Sequence, residues 1–187
     1  MPILGIVASS KLTASGSFDF IATATASGSS STITFSSIPQ TYKHLQLRYA
    51  GKNNRDANQA GWLNLKINGS DPNYLQAVYS YNASAPEQLN VTNPSVNNGY
   101  TLAATGTQAS ALNFGAGLVN ILDYTSTSKI KTFRHMSGAL SGSQVVCLIG
   151  TNTLNSTSAV TSLVVIGVDS ANIGANSRFS LYGLKDA

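Results

Sequence analysis

The sequence predicts an all-β fold, an antiparallel β-sandwich of jelly-roll type with an extended N-terminal arm. Three observations point there. Short runs alternate apolar and polar residues along the whole chain, the pattern of half-buried strands. Turn-forming Gly, Asn and Ser clusters separate these runs at the spacing of sandwiches and jelly rolls. Composition argues against helix: Ser, Thr, Asn and Gly make up about 40% of the 187 residues, and Glu87 is the single glutamate. Such short polar side chains compete for backbone hydrogen bonds, and so favour strands, turns and caps over helix interiors.

Residues 1–16 form the expected arm, and residues 17–187 a single sandwich domain. In the arm, Ile3, Leu4, Ile6 and Val7 put four large aliphatic side chains where Lys11 is the nearest charge. Burying each is worth about 1.5–3 kcal/mol, against roughly 1–2 kcal/mol for ordering each residue. The near balance calls for main-chain pairing with a partner as well, so these four residues are the candidate partner-binding set. A secretory signal is not expected, because the segment has no basic start and a barely sufficient apolar run.

Phe18 and Phe20 mark a first strand, and Ile33 and Phe35 a second, ahead of Pro39. Leu45, Leu47 and Tyr49 alternate with His44, Gln46 and Arg48; Leu63, Leu65 and Ile67 alternate with Trp62, Asn64 and Lys66. Tyr74 to Tyr81 also alternates as a strand. Two runs, Val145 to Ile149 and Leu163 to Val168, are apolar on both faces. They read as central strands packed on both sides, or as strands partly covered by a neighbouring subunit; the two apolar faces of the second run predict a homo-oligomer, most readily a homotrimer. Phe179 and Leu181 mark a closing strand. Residues 82–110 read as a long irregular loop, of the kind that often carries function. Tyr74, Tyr79, Tyr81 and Tyr100 around it are a candidate oligomer or ligand surface. All five prolines fall outside the expected central strands, as strand hydrogen bonding requires.

No catalytic or metal constellation emerges. The charge of +4 rests on 11 scattered Lys and Arg, whereas nucleic-acid binders usually cluster theirs on one face. The single cysteine, Cys147, reads as a small buried hydrophobe and cannot form an intrachain disulfide. His44 and His135 read as surface or structural histidines. One Cys and two distant His cannot make a zinc site. Asn68, Asp71 and Asn73 read as an Asx-rich turn rather than a calcium loop. Gly51-Lys52 lacks the first glycine and the Ser or Thr of a phosphate loop, and no Gly-x-Ser-x-Gly occurs. With one glutamate and aspartates mostly in turns, no carboxylate pair for glycoside hydrolysis stands out. The expectation is a non-enzyme without cofactor or metal, with neither nucleic acid nor membrane as partner; no run approaches the ~18 apolar residues of a membrane span.

Several segments resemble a family of small virion proteins of tailed bacteriophages, of the cyanophage and marine-phage type. They are Met1 to Ser10, Phe18 to Thr25, Ile33-Thr34-Phe35-Ser36-Ser37-Ile38-Pro39-Gln40-Thr41-Tyr42-Lys43-His44-Leu45-Gln46-Leu47-Arg48, Ile121-Leu122-Asp123-Tyr124 through Lys131-Thr132-Phe133-Arg134, and Phe179 to Lys185. The resemblance implies a jelly-roll virion component and carries no catalytic residues. Its first functional implication is a capsid decoration, or cement, protein bound to the major capsid protein on the outer surface of the head. The alternative is a carbohydrate-binding tail-fibre or receptor-binding domain. Asp123 and Tyr124 sit at an expected strand end, where Asp123 can cap the turn that follows.

Overall fold

A computed structural model of the chain describes residues 17–55, 61–70, 76–82, 85–92, 102–107, 112–141, 144–168 and 171–185. Twelve strands run through these residues, and no α-helix occurs among them. They are β1 (Phe18–Thr25), β2 (Thr32–Phe35), β3 (His44–Gly51), β4 (Gly61–Ile67), β5 (Gln76–Asn82), β6 (Ala85–Thr92), β7 (Leu102–Ala104), β8 (Gly115–Leu122), β9 (Lys131–Ser141), β10 (Gln144–Leu154), β11 (Leu163–Gly167) and β12 (Arg178–Leu184).

The first sheet has the order β1-β12-β3-β8-β9-β10, and the second β2-β11-β4-β7. Without the β9–β10 extension, each sheet holds four antiparallel strands, and β1–β2, β3–β4, β7–β8 and β11–β12 each cross from one sheet to the other. That wrapped pattern of two Greek keys is a jelly roll. Among the described residues β5 and β6 pair only with each other, and β5 lies against β10. Pro86 falls in β6, a strand paired on one side, where a missing N–H is tolerated.

The core follows the period of two. Leu45 and Leu47 from β3, Leu63, Leu65 and Ile67 from β4, Val119 and Ile121 from β8, and Phe179 and Leu181 from β12 are fully enclosed between the sheets. Tyr49 stacks on Phe179 with ring centroids 5.8 Å apart, and its hydroxyl donates to the Ala103 carbonyl at 2.8 Å. Burial pushes this phenol up, well past its ordinary pKa, against a smaller opposing effect of a hydrogen bond with Ser137. In β7, Leu102 and Ala104 join the main core, while Ala103 packs with Ala139, Val146, Leu148 and Trp62 in a second cluster. The β9–β10 hairpin therefore curls around the β7 edge and covers its far side.

Three expectations are corrected. Residues 82–110 are not one loop: β6 and β7 lie inside them, the former paired with β5 and the latter too short to show a period. Val145 to Ile149 is not a central strand. It belongs to β10, which among the described residues is hydrogen-bonded only to β9, and only Val146 and Leu148 of the run turn inward. Cys147 consequently faces outward, half-buried opposite Gly138. The other apolar run is a central strand as expected: β11 lies between β2 and β4, with Leu163 and Val165 buried and Val164 and Ile166 half-buried on the outer face, flanked by Lys66, Thr34, Asn64 and Thr32. That outer stripe is narrow and polar-edged.

Candidate interaction face

The arm residues Ile3, Leu4, Ile6 and Val7 lie outside the described residues, as do Tyr74 and Tyr100. Tyr79 and Tyr81 fall on β5, of which the backbone course is described. Sequence reasoning nominated none of the residues that stand out on the described surface. They lie on the outer face of the six-stranded sheet.

Register fixes that face. Arg48 on β3 is opposite Ser180 on β12 and Leu118 on β8; Leu118 is opposite Met136 on β9, and Met136 opposite Ile149 on β10. These residues form one cross-strand row. The row beside it reads Phe20, Tyr182, Gln46, Asn120, Arg134 and Thr151. At the β10 end, Leu140 is opposite Val145. Met136 (52%), Leu140 (49%), Val145 (44%) and Ile149 (55%) are the large aliphatic side chains exposed there. Four such neighbours on one hairpin make a contiguous patch, unlike the scattered single apolar residues of an ordinary surface.

The opposite end of the face is aromatic. Phe20 meets Tyr182 edge-on, with centroids 5.9 Å apart and planes at 72°. The Arg48 guanidinium lies 4.8 Å from the Phe18 ring centroid and 4.7 Å from that of Tyr182. Its Nε donates to Gln46 Oε1 at 2.5 Å, and Gln46 Nε2 donates in turn to Asn120 Oδ1 at 2.7 Å. Two rings and an amide chain thus hold the guanidinium in place. Among the described residues no carboxylate meets Arg48, and none meets Arg134 or Arg178 on the same face.

Two of the sequence segments described above, 33–48 and 121–134, meet at one end of the sandwich. Asp123 adopts a left-handed conformation (φ 44°) as β8 turns toward β9. Its N–H donates to His44 Nδ1 at 2.9 Å. Its carboxylate accepts from Lys129 Nζ at 2.6 Å rather than capping the turn, which the backbone closes with Ser126 N–H donating to the Asp123 carbonyl at 3.0 Å. The Lys129 hydrogen bond holds this carboxyl below its ordinary pKa; desolvation opposes that, and the charges of Lys129, Lys43 and His44 assist it. The buried Tyr124 hydroxyl donates to the Pro39 carbonyl. Lys131, enclosed although cationic, donates to the carbonyls of Ser126, Lys129 and Thr157, so each of its three N–H groups has an acceptor. Desolvation pulls its pKa down, with the Asp123 charge working the other way. Asn68 is consumed by the loop before β11: its Oδ1 accepts from Thr161 and Ser162, and its Nδ2 donates to the Ala159 carbonyl. These groups are structural.

His135 is the other buried titratable group. Its ring fills the space above Gly150, where a Cβ would lie 2.2 Å from Nε2. Burial lowers its pKa to about 4, and the Asn152 amide alongside works weakly against that. Neither ring nitrogen, nor either polar atom of the Asn152 side chain, makes a hydrogen bond of good geometry. Between the β1 and β2 edges lies a half-open groove of about 260 Å³, lined largely by Ile21, Ala22, Phe35, Ile38 and Leu181, with no charged side chain. Among the described residues no group of three or more His, Cys, Asp or Glu is placed to hold a metal ion, and no helix is long and apolar enough to cross a membrane.

No family model, curated protein or solved structure matches this chain.

Proposed function

We propose that this chain is a virion structural protein of a tailed bacteriophage, a decoration protein that binds the assembled head and stabilises it. The observation that carries the reading is the outer face of the six-stranded sheet, where Met136, Leu140, Val145 and Ile149 form an exposed aliphatic patch on the β9–β10 hairpin. A ligand that binds only the assembled shell stabilises it by mass action, and needs surface rather than chemistry to do so. The resemblance of the 33–48 and 121–134 blocks to phage virion proteins supplies the setting. In this reading the protein sits on the outer capsid surface as a homotrimer, its partner is the major capsid protein, and residues 3–7 add a second tether.

The test is co-sedimentation of the purified protein with heads of the phage that encodes it, followed by imaging of labelled particles. Wild-type protein should pellet with heads and Ile149→Glu should not. Label confined to tail tips would overturn the head assignment. One feature favours the alternative of a carbohydrate-binding tail domain: the exposed Phe18 and Phe20 rings and the half-buried Tyr182 ring beside the Gln46 and Asn120 amides. Label at the tail together with glycan binding lost in Phe20→Ala would establish that alternative.

A further inference from the structure

We infer that Arg48 is the seat for a carboxylate of the partner, and that the outer face of the six-stranded sheet docks on an acidic, partly apolar protein surface. The inference rests on the virion reading and names the chemistry of the surface contacted. An exposed arginine is ordinarily a mobile side chain with substantial rotamer freedom to lose on binding. Arg48 has surrendered much of that freedom already. Phe18 and Tyr182 flank its guanidinium, and Gln46 takes its Nε, itself braced by Asn120. Among the described residues its two terminal nitrogens make no hydrogen bond and meet no carboxylate. A pre-positioned planar fork with free donors is the geometry that takes a carboxylate in two parallel hydrogen bonds.

Charge and shape choose the occupant. Every formal charge on the described part of this face is an arginine: Arg48, Arg134 and Arg178. A second copy meeting it face to face would set arginine against arginine in a desolvating contact, which disfavours self-pairing through this face. An acidic glycan would satisfy Arg48 but leave the aliphatic patch uncovered. Met136 and Ile149 lie two and three strands from Arg48 in the same row, roughly 10 and 14 Å at the spacing of paired strands. A protein surface can bring an acidic residue and an apolar centre at that separation.

The experiment works without the partner in hand. Poly-L-glutamate is immobilised and retention is measured for the wild-type chain, Arg48→Gln, Arg48→Lys and Lys66→Gln. The last removes the same charge from the other sheet. Arg48→Gln should bind at least about tenfold more weakly and Arg48→Lys should fall between, with Lys66→Gln near wild type. Thermal melts confirm that each variant is folded. Equal losses for Arg48→Gln and Lys66→Gln would reduce the effect to net charge and overturn the seat. Tighter retention on polygalacturonate than on poly-L-glutamate would overturn the protein surface in favour of a glycan. The two proposals fail separately. Heads bound as well by Arg48→Gln as by wild type would sink the seat and spare the virion reading. Selective, Arg48-dependent retention on poly-L-glutamate with no binding to heads would do the reverse.

Discussion

Acidification should destabilise this protein through one side chain, His135. The ring is buried at the β9–β10 hairpin, and its pKa falls from 6.5 to about 4 chiefly because burial penalises the imidazolium. As pH drops below 6.5 the unfolded chain takes up a proton that the folded chain refuses until about pH 4. Stability that is complete above 6.5 is therefore lost progressively down to about 4, where the loss levels off. A separation of about 2.5 pH units at 1.36 kcal/mol each sets a ceiling of about 3 kcal/mol. Between pH 7 and pH 4.5 the same linkage gives about 2–3 kcal/mol. For a chain of this size that lowers Tm by about 5–10 °C. The carboxyl of Asp123, held below its ordinary value of 3.8, titrates beneath this window and does not mask it. The assay is thermal or urea unfolding at closely spaced pH values for wild type and His135→Leu. The variant keeps the apolar volume over Gly150 and removes the titration, so its Tm should lose most of the dependence on pH between 6.5 and 4.5. A wild-type Tm that stays level from pH 7 to 4.5, or a His135→Leu slope equal to that of wild type, would refute the reasoning.

Four further outcomes are expected. Gly183→Ala places a Cβ 2.2 Å from the Tyr42 ring, which must leave its seat against the core, and chemical denaturation should show a loss of about 1–3 kcal/mol. Tyr124→Phe strands the Pro39 carbonyl and should cost about 1–3 kcal/mol by the same measurement, while Lys131→Met, which orphans three carbonyls at once, should cost at least about 2 kcal/mol. Ile149→Glu, on the exposed face, should shift stability by no more than about 0.5 kcal/mol, so any loss of head binding in that variant reads as a lost contact.

The strands whose side chains split cleanly between core and outer face were legible in sequence. Leu63, Leu65 and Ile67 announce β4 because every second residue is buried, and Leu45, Leu47 and Tyr49 announce β3 for the same reason. Place within a sheet was not legible. Val145 to Ile149 is apolar at every position, and only the pairing of β10 with β9 alone shows that Val145 and Ile149 face outward. β7 is three buried residues, too few for any period. Phe18 and Phe20 marked a strand, yet nothing local says that they point away from the core. The Arg48 cluster was hidden more deeply. In sequence Arg48 is one of several scattered cations, and it meets Phe18 and Tyr182 only because β12 lies between β1 and β3.

That insertion of β12 also dictates an order of assembly. Among the described residues β1 has no hydrogen-bonded neighbour except β12, and β3 finds one of its two partners there. The first of the described strands must therefore wait for the last of them. Until residues 178–184 clear the exit tunnel, β1 and one edge of β3 stay open templates for misplaced pairing, and closure then spans nearly the whole described chain. Folding should be slow for a chain of this size, as non-local pairing imposes. A release before residue 178 should yield an aggregating fragment rather than a sandwich short by one strand.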